Sequence, residues 1–67
     1  MGTMVEGWLC RDEDGRVYFN QGPRFDKKEG IWVPGRRGQS WGEDAWKAIY
    51  DLAPPKPGEK FPASIEL

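Results

Sequence analysis

Histidine is absent from this chain, and cysteine occurs once, at Cys10. Without His, a zinc site of the usual Cys/His make-up is excluded, and a lone Cys rules out an intrachain disulfide. Hydroxyls are scarce too: besides the two Tyr there are only Thr3, Ser40 and Ser64. A nucleophile needs an activating base within hydrogen-bond reach, and this inventory offers none in an obvious pairing. The neighbouring carboxylates Glu43 and Asp44, and those around Asp12 to Asp14, fall where exposure is expected, so nothing would split their pKa values for acid–base work. No catalytic residue, cofactor or metal is therefore expected, and the chain reads as a non-enzyme. Uninterrupted apolar runs are only a few residues long, so neither a membrane-spanning helix nor a secretory leader is expected. The expected location is cytoplasmic.

What is present is aromatic. Four Trp, three Phe and two Tyr occur in 67 residues, although hydrophobic residues make up only 37%. A single domain of this size buries roughly 60% of the surface its unfolded chain exposes. A few large side chains, each burying about 150–250 Å², must then supply most of the stability. The formal charge is −1, yet it is unevenly spread. Residues 16–37 hold six Lys or Arg against two Asp or Glu, and they lie between acidic ends.

The stretch Trp8 to Asn20 reads as a β-hairpin, because two β-prone runs flank Asp12-Glu13-Asp14-Gly15. Asp bonds its own backbone in a turn, and Gly takes φ > 0 at little cost. Two registers fit. A three-residue loop, Glu13 to Gly15, sets Leu9 against Phe19 and Cys10 against Tyr18; a four-residue loop sets Trp8 against Phe19 and Leu9 against Tyr18. Pairing of the largest aromatics favours the second. Asp12-x-Asp14-Gly15 also has the outline of a calcium loop, but Cys10 and Gln21 would occupy ligand positions, so turn chemistry is the better account.

Met1-Gly2-Thr3 has no pattern and is expected to be a disordered, vector-derived tail before Met4. Gln21-Gly22-Pro23 turns the chain into a polar link, Arg24 to Glu29. Gly30 to Val33, stopped by Pro34-Gly35, predicts a third strand. Ser40-Trp41-Gly42-Glu43 fits a capping box, and Ala45, Trp46, Ile49, Leu52 and Ala53 recur at helical spacing, predicting a helix over about 41–52 that Pro54-Pro55 ends. Alternation of Phe61, Ala63 and Ile65 predicts a terminal strand over 61–66, with Pro62 placing it at a sheet edge. The expected fold is α+β: a small antiparallel sheet of three or four strands (hairpin 7–20, strand 30–33, strand 61–66) packed on one helix.

In this scheme Trp8, Phe19, Trp46 and Ile49 fill one interior. Tyr18, Trp32 and Trp41 are left as candidate binding aromatics, since Trp and Tyr are the usual anchors of recognition surfaces. Arg24, Lys27, Lys28, Arg36 and Arg37 form a basic island that suits an anion or nucleic acid, with the Gly35-Arg36-Arg37-Gly38 loop just before the expected helix. A protein or peptide partner is the leading expectation and nucleic acid the alternative. The chain is expected to be a monomer or a weak homodimer through its terminal edge strand.

Two resemblances add to this reading. Trp8, Gly15-Arg16-Val17-Tyr18-Phe19, Trp32 and Pro34 resemble a WW domain over residues 7–34. That resemblance implies a proline-rich-peptide groove on Tyr18 and Trp32, with Trp8, Phe19 and Pro34 as the hydrophobic buckle. The groove histidine of that family is missing, and the segment between Tyr18 and Trp32 is longer than the pattern. Trp8, Arg11, Asp12, Asp14, Gly15, Val17 and Phe19, with Pro23-Arg24, Phe61-Pro62 and Glu66-Leu67, are similar to a group of short uncharacterised phage and prophage proteins of Bacteroidetes. This second resemblance spans nearly the whole chain and implies a mobile-element origin, without an activity.

Overall fold

The computed structural model describes residues 2–47 and 53–66. Two strands, β1 (Met4–Arg11) and β2 (Val17–Asn20), form the hairpin. Its loop holds three residues: Leu9 faces Phe19, and Cys10 faces Tyr18. The Asp12 N–H donates to the Arg16 carbonyl at 2.8 Å and the Gly15 N–H to the Asp12 carbonyl at 3.0 Å. Gly15, at φ 97°, adopts the left-handed conformation that lets the loop close as a turn plus bulge. The four-residue register favoured by aromatic pairing is thus corrected. Local turn geometry outweighs a cross-strand preference worth less than about 1 kcal/mol.

Four antiparallel strands make the main sheet, in the order β5–β2–β1–β6, with β5 at Ser40–Trp41 and β6 at Lys60–Glu66. A second sheet has two strands, β3 (Arg24–Asp26) and β4 (Ile31–Val33). Three expectations change here. Arg24 to Glu29 is not a polar link throughout, because Phe25 pairs with Trp32 across β3 and β4. The strand at 31–33 does not extend the hairpin sheet; the place beside β2 goes to Ser40 and Trp41, opposite Asn20 and Phe19. Ser40 is therefore no helix cap. The helical turn α1 (Glu43–Trp46) begins after Gly42, which makes no side-chain cap bond. Lys47 caps this turn, and residues 48–52 of the expected helix, Ile49 among them, lie outside the described residues.

The register sorts the side chains into two sets. Leu9, Val17, Phe19 and Ile65 point to one face and form the core with Trp46, while Val5, Trp41, Phe61 and Ala63 pack around it. Trp46 is tied down as well as buried. Its indole N–H donates to the Val17 carbonyl at 3.0 Å, a group that points away from β1 and lies beyond the short reach of β5. Trp8, expected in this interior, belongs to the opposite face because it pairs with Asn20, one step out of phase with Leu9.

Gly7 lets the core close. A methyl group there would lie 2.7 Å from the Asn20 carbonyl oxygen and 2.9 Å from two carbons of the Phe19 ring. Gly7→Ala should therefore destabilise the domain by about 1–3 kcal/mol through overpacking. Urea denaturation followed by tryptophan fluorescence measures it, and an unchanged midpoint would refute this role for Gly7.

Candidate functional site

The opposite face of the main sheet carries most of the polar and aromatic chemistry, and the β3–β4 hairpin lies over it. Its two attachments fix the direction of β4. The Glu13 N–H donates to the Gly30 carbonyl at 3.0 Å near the turn, and the Gly35 N–H donates to the Gln21 carbonyl at 2.9 Å beyond β2. Between them, the Asp12 carboxylate accepts the Trp32 backbone N–H at 2.8 Å. Asp12 is buried. Burial raises its pKa above the usual carboxylate range, and the Trp32 N–H offsets this only in part. Asp14, by contrast, is exposed and accepts the Arg16 N–H at 2.9 Å. These two carboxylates serve different backbones and do not converge as metal ligands would.

Cys10 and Asn20 are fully buried on the same face. Burial pushes the Cys10 thiol up to about 11, against the smaller opposing pull of the Asn20 amide and the Lys60 ammonium. It is therefore a packed thiol with almost no thiolate at neutral pH. The Asn20 amide and the Trp32 indole N–H are buried without a hydrogen-bond partner among the described residues.

Lys60 joins the aromatics on this face. Its ammonium lies 3.6 Å from the centre of the Trp8 ring and 5.6 Å from that of Trp32, within the range of cation–π attraction. Trp32 also packs edge-on against Phe25 at 5.0 Å. Beside Trp8 a shallow cleft of about 420 Å³ is lined by Glu6, Gly7, Gly22, Pro62, Ala63 and Ser64, on and beside the paired β1 and β6 strands. The sequence reading missed Trp8 as a surface residue because its assignment to the core followed from the wrong register.

The three aromatics expected to form a binding surface are separated. Trp41 stands on the core face, edge-on to Phe19 at 5.6 Å. Tyr18 stands on the opposite face near Gly42. Trp32 belongs to the second sheet. All three are half-buried, and the exposed large apolar side chain among the described residues is Met4. The basic island also divides. Arg36 and Arg37 occupy a tight turn closed by the Gly38 N–H on the Gly35 carbonyl, whereas Lys27 and Lys28 lie at the opposite, turn end of the β3–β4 hairpin. With Arg24 these five are exposed, and none is in an ion pair among the described residues.

No family model, curated protein or solved structure matches this chain. No helix among the described residues is long and apolar enough to cross a membrane.

Two predictions follow from the buried groups. Asp12→Asn keeps an acceptor for the Trp32 N–H while removing a buried charge, so stability at neutral pH should be unchanged or higher. Asp12→Ala leaves that N–H unpaired and should cost about 1–3 kcal/mol; equal losses for both variants in thermal or urea unfolding would contradict this role. For Cys10, a folded-state pKa raised from about 9 to about 11 means that the unfolded chain loses its thiol proton first as pH rises. The contribution is fully present below pH about 9 and is lost on the way to about 11. The wild type should accordingly lose stability more steeply than Cys10→Ala across that window, and parallel pH profiles would disprove it.

Proposed function

We propose that the chain is a non-enzymatic protein-binding module that takes an extended peptide along the cleft beside Trp8. The observation that carries this reading is the half-buried Trp8 ring, which forms a wall of the cleft next to the open edge of β6. Trp is the residue most often found as a binding anchor, and an apolar wall with a nearby carboxylate, here Glu6, suits a peptide with an apolar and a basic residue. The sealed Cys10 thiol adds no nucleophile. A cytoplasmic adaptor role fits such a module, and the phage-protein resemblance adds a mobile-element origin but no activity. The WW resemblance enters only through the peptide class to test, because Tyr18 and Trp32 stand on different sheets.

A second reading is nucleic-acid binding, favoured by the five exposed cations without ion-pair partners among the described residues. The two readings separate in one set of measurements. Titration with proline-rich and basic-apolar peptides should change tryptophan fluorescence saturably. Trp8→Ala should weaken binding more than about tenfold, the cost of truncating an anchor, with the far-UV spectrum retained, whereas Tyr18→Ala should leave it nearly unchanged. Peptide binding that is indifferent to Trp8 would overturn the proposal. A mobility shift of single-stranded nucleic acid that weakens with salt and disappears on replacing Arg36 and Arg37 by Ala would favour the second reading.

A further inference from the structure

The ladder of β6 has a defined phase. The Arg11 N–H donates to the Glu59 carbonyl at 3.0 Å, while the Asp12 N–H donates the other way, to Arg16 in the hairpin. Antiparallel ladders alternate in this manner, so the odd-numbered residues of β1 bond β6, and Phe61, Ala63 and Ile65 answer them. Lys60, Pro62, Ser64 and Glu66 consequently turn their backbone groups away from β1, and no strand among the described residues pairs with that edge. Pro62 falls in the outward set, where its missing N–H costs the sheet no bond. Lys60 does not bar the edge either, because its side chain is drawn onto the sheet face over Trp8.

We propose that this edge binds a second copy of the chain, the two β6 strands pairing antiparallel about a two-fold axis at Ala63. Only residues of the outward set can exchange bonds, so the allowed registers differ by steps of two. Centring on Ala63 places Lys60 against Glu66 of the second copy at both ends, an opposite-charge pair in each case. Phe61 meets Ile65, and the Ser64 N–H meets the Pro62 carbonyl. Centring on Pro62 would oppose two prolines, which lose both donors, and would set Lys60 against Ser64. Centring on Ser64 would leave Lys60 without a partner in the strand and set Pro62 against Glu66. Charge and donor count thus select one register. A two-fold pairing is closed, and the other edge of the sheet, β5, is only two residues long, so association stops at a dimer.

This inference does not rest on peptide binding at Trp8, although both involve Pro62, Ala63 and Ser64; its readout is mass and not fluorescence, so either can fail alone. Sedimentation of the full chain from micromolar to millimolar concentration should show a monomer–dimer equilibrium. Lys60→Glu and Glu66→Lys each place like charges at both ends, and each should weaken dimerisation by about tenfold or more. An equimolar mixture of the two should restore it, because the introduced acid faces the introduced base at one end while native Glu66 faces native Lys60 at the other. Ser64→Pro, checked for folding by circular dichroism, should be monomeric. A wild type that stays monomeric throughout would overturn the proposal. So would single variants that dimerise as tightly as wild type, or a mixture no tighter than its parts.

Discussion

The bulged turn at Gly15 sets the phase of every strand that follows. By closing a three-residue loop it pairs Leu9 with Phe19, and since side chains alternate with a period of two, one residue more in that loop would have put Phe19 on the face of Trp8, away from Leu9. The outcome is an apolar face of Leu9, Val17, Phe19 and Ile65 and an opposite face of Trp8, Cys10, Tyr18 and Asn20. A domain with so little core has few ways to stabilise both faces at once. Here Trp46 packs on the first, and the β3–β4 hairpin lies over the second.

Each cover is held by a hydrogen bond to a group the main sheet leaves unpaired. The Trp46 indole N–H satisfies the Val17 carbonyl where β5 is too short to reach, and Asp12 reaches out of the turn to take the Trp32 N–H. Buried polar groups left alone cost about 1–3 kcal/mol each, so these bonds fix where the covers sit as well as whether they bind. Asp12 shows the other side of that arrangement: its carboxylate is buried to reach the Trp32 N–H, and burial raises its pKa. Cys10 is enclosed in the same way, its thiol held protonated by burial. The accessible chemistry then lies around Trp8, Lys60 and the outer edge of β6, and on the exposed cations of the β3–β4 hairpin and the Arg36-Arg37 turn.

Much of this was legible before the fold was known. The hairpin and its turn followed from Asp-x-Asp-Gly between β-prone runs, and the terminal edge strand from the alternation of Phe61, Ala63 and Ile65 with Pro62. Ile31 to Val33 was legible as a strand, though its partner was not. Arg24 to Asp26 looked like a link because a three-residue strand with two charged residues has no periodicity to detect. Ser40-Trp41-Gly42-Glu43 matches a capping pattern with Ser40 as cap, yet pairing with β2 prevailed, and in it Trp41 gains an aromatic contact with Phe19.

The sequence by itself determined the local chemistry: which segments turn, which alternate, the want of His and of a second Cys, and the dependence on aromatics for stability. Only the tertiary structure decided which aromatics those are. A loop length that differs by one residue is nearly invisible in sequence, but it inverts the two faces of a strand. It moved Trp8 from the expected core to the wall of a cleft. Pairing of β5 with β2 set Trp41 on the core face, away from Tyr18, and Trp32 went to the second sheet.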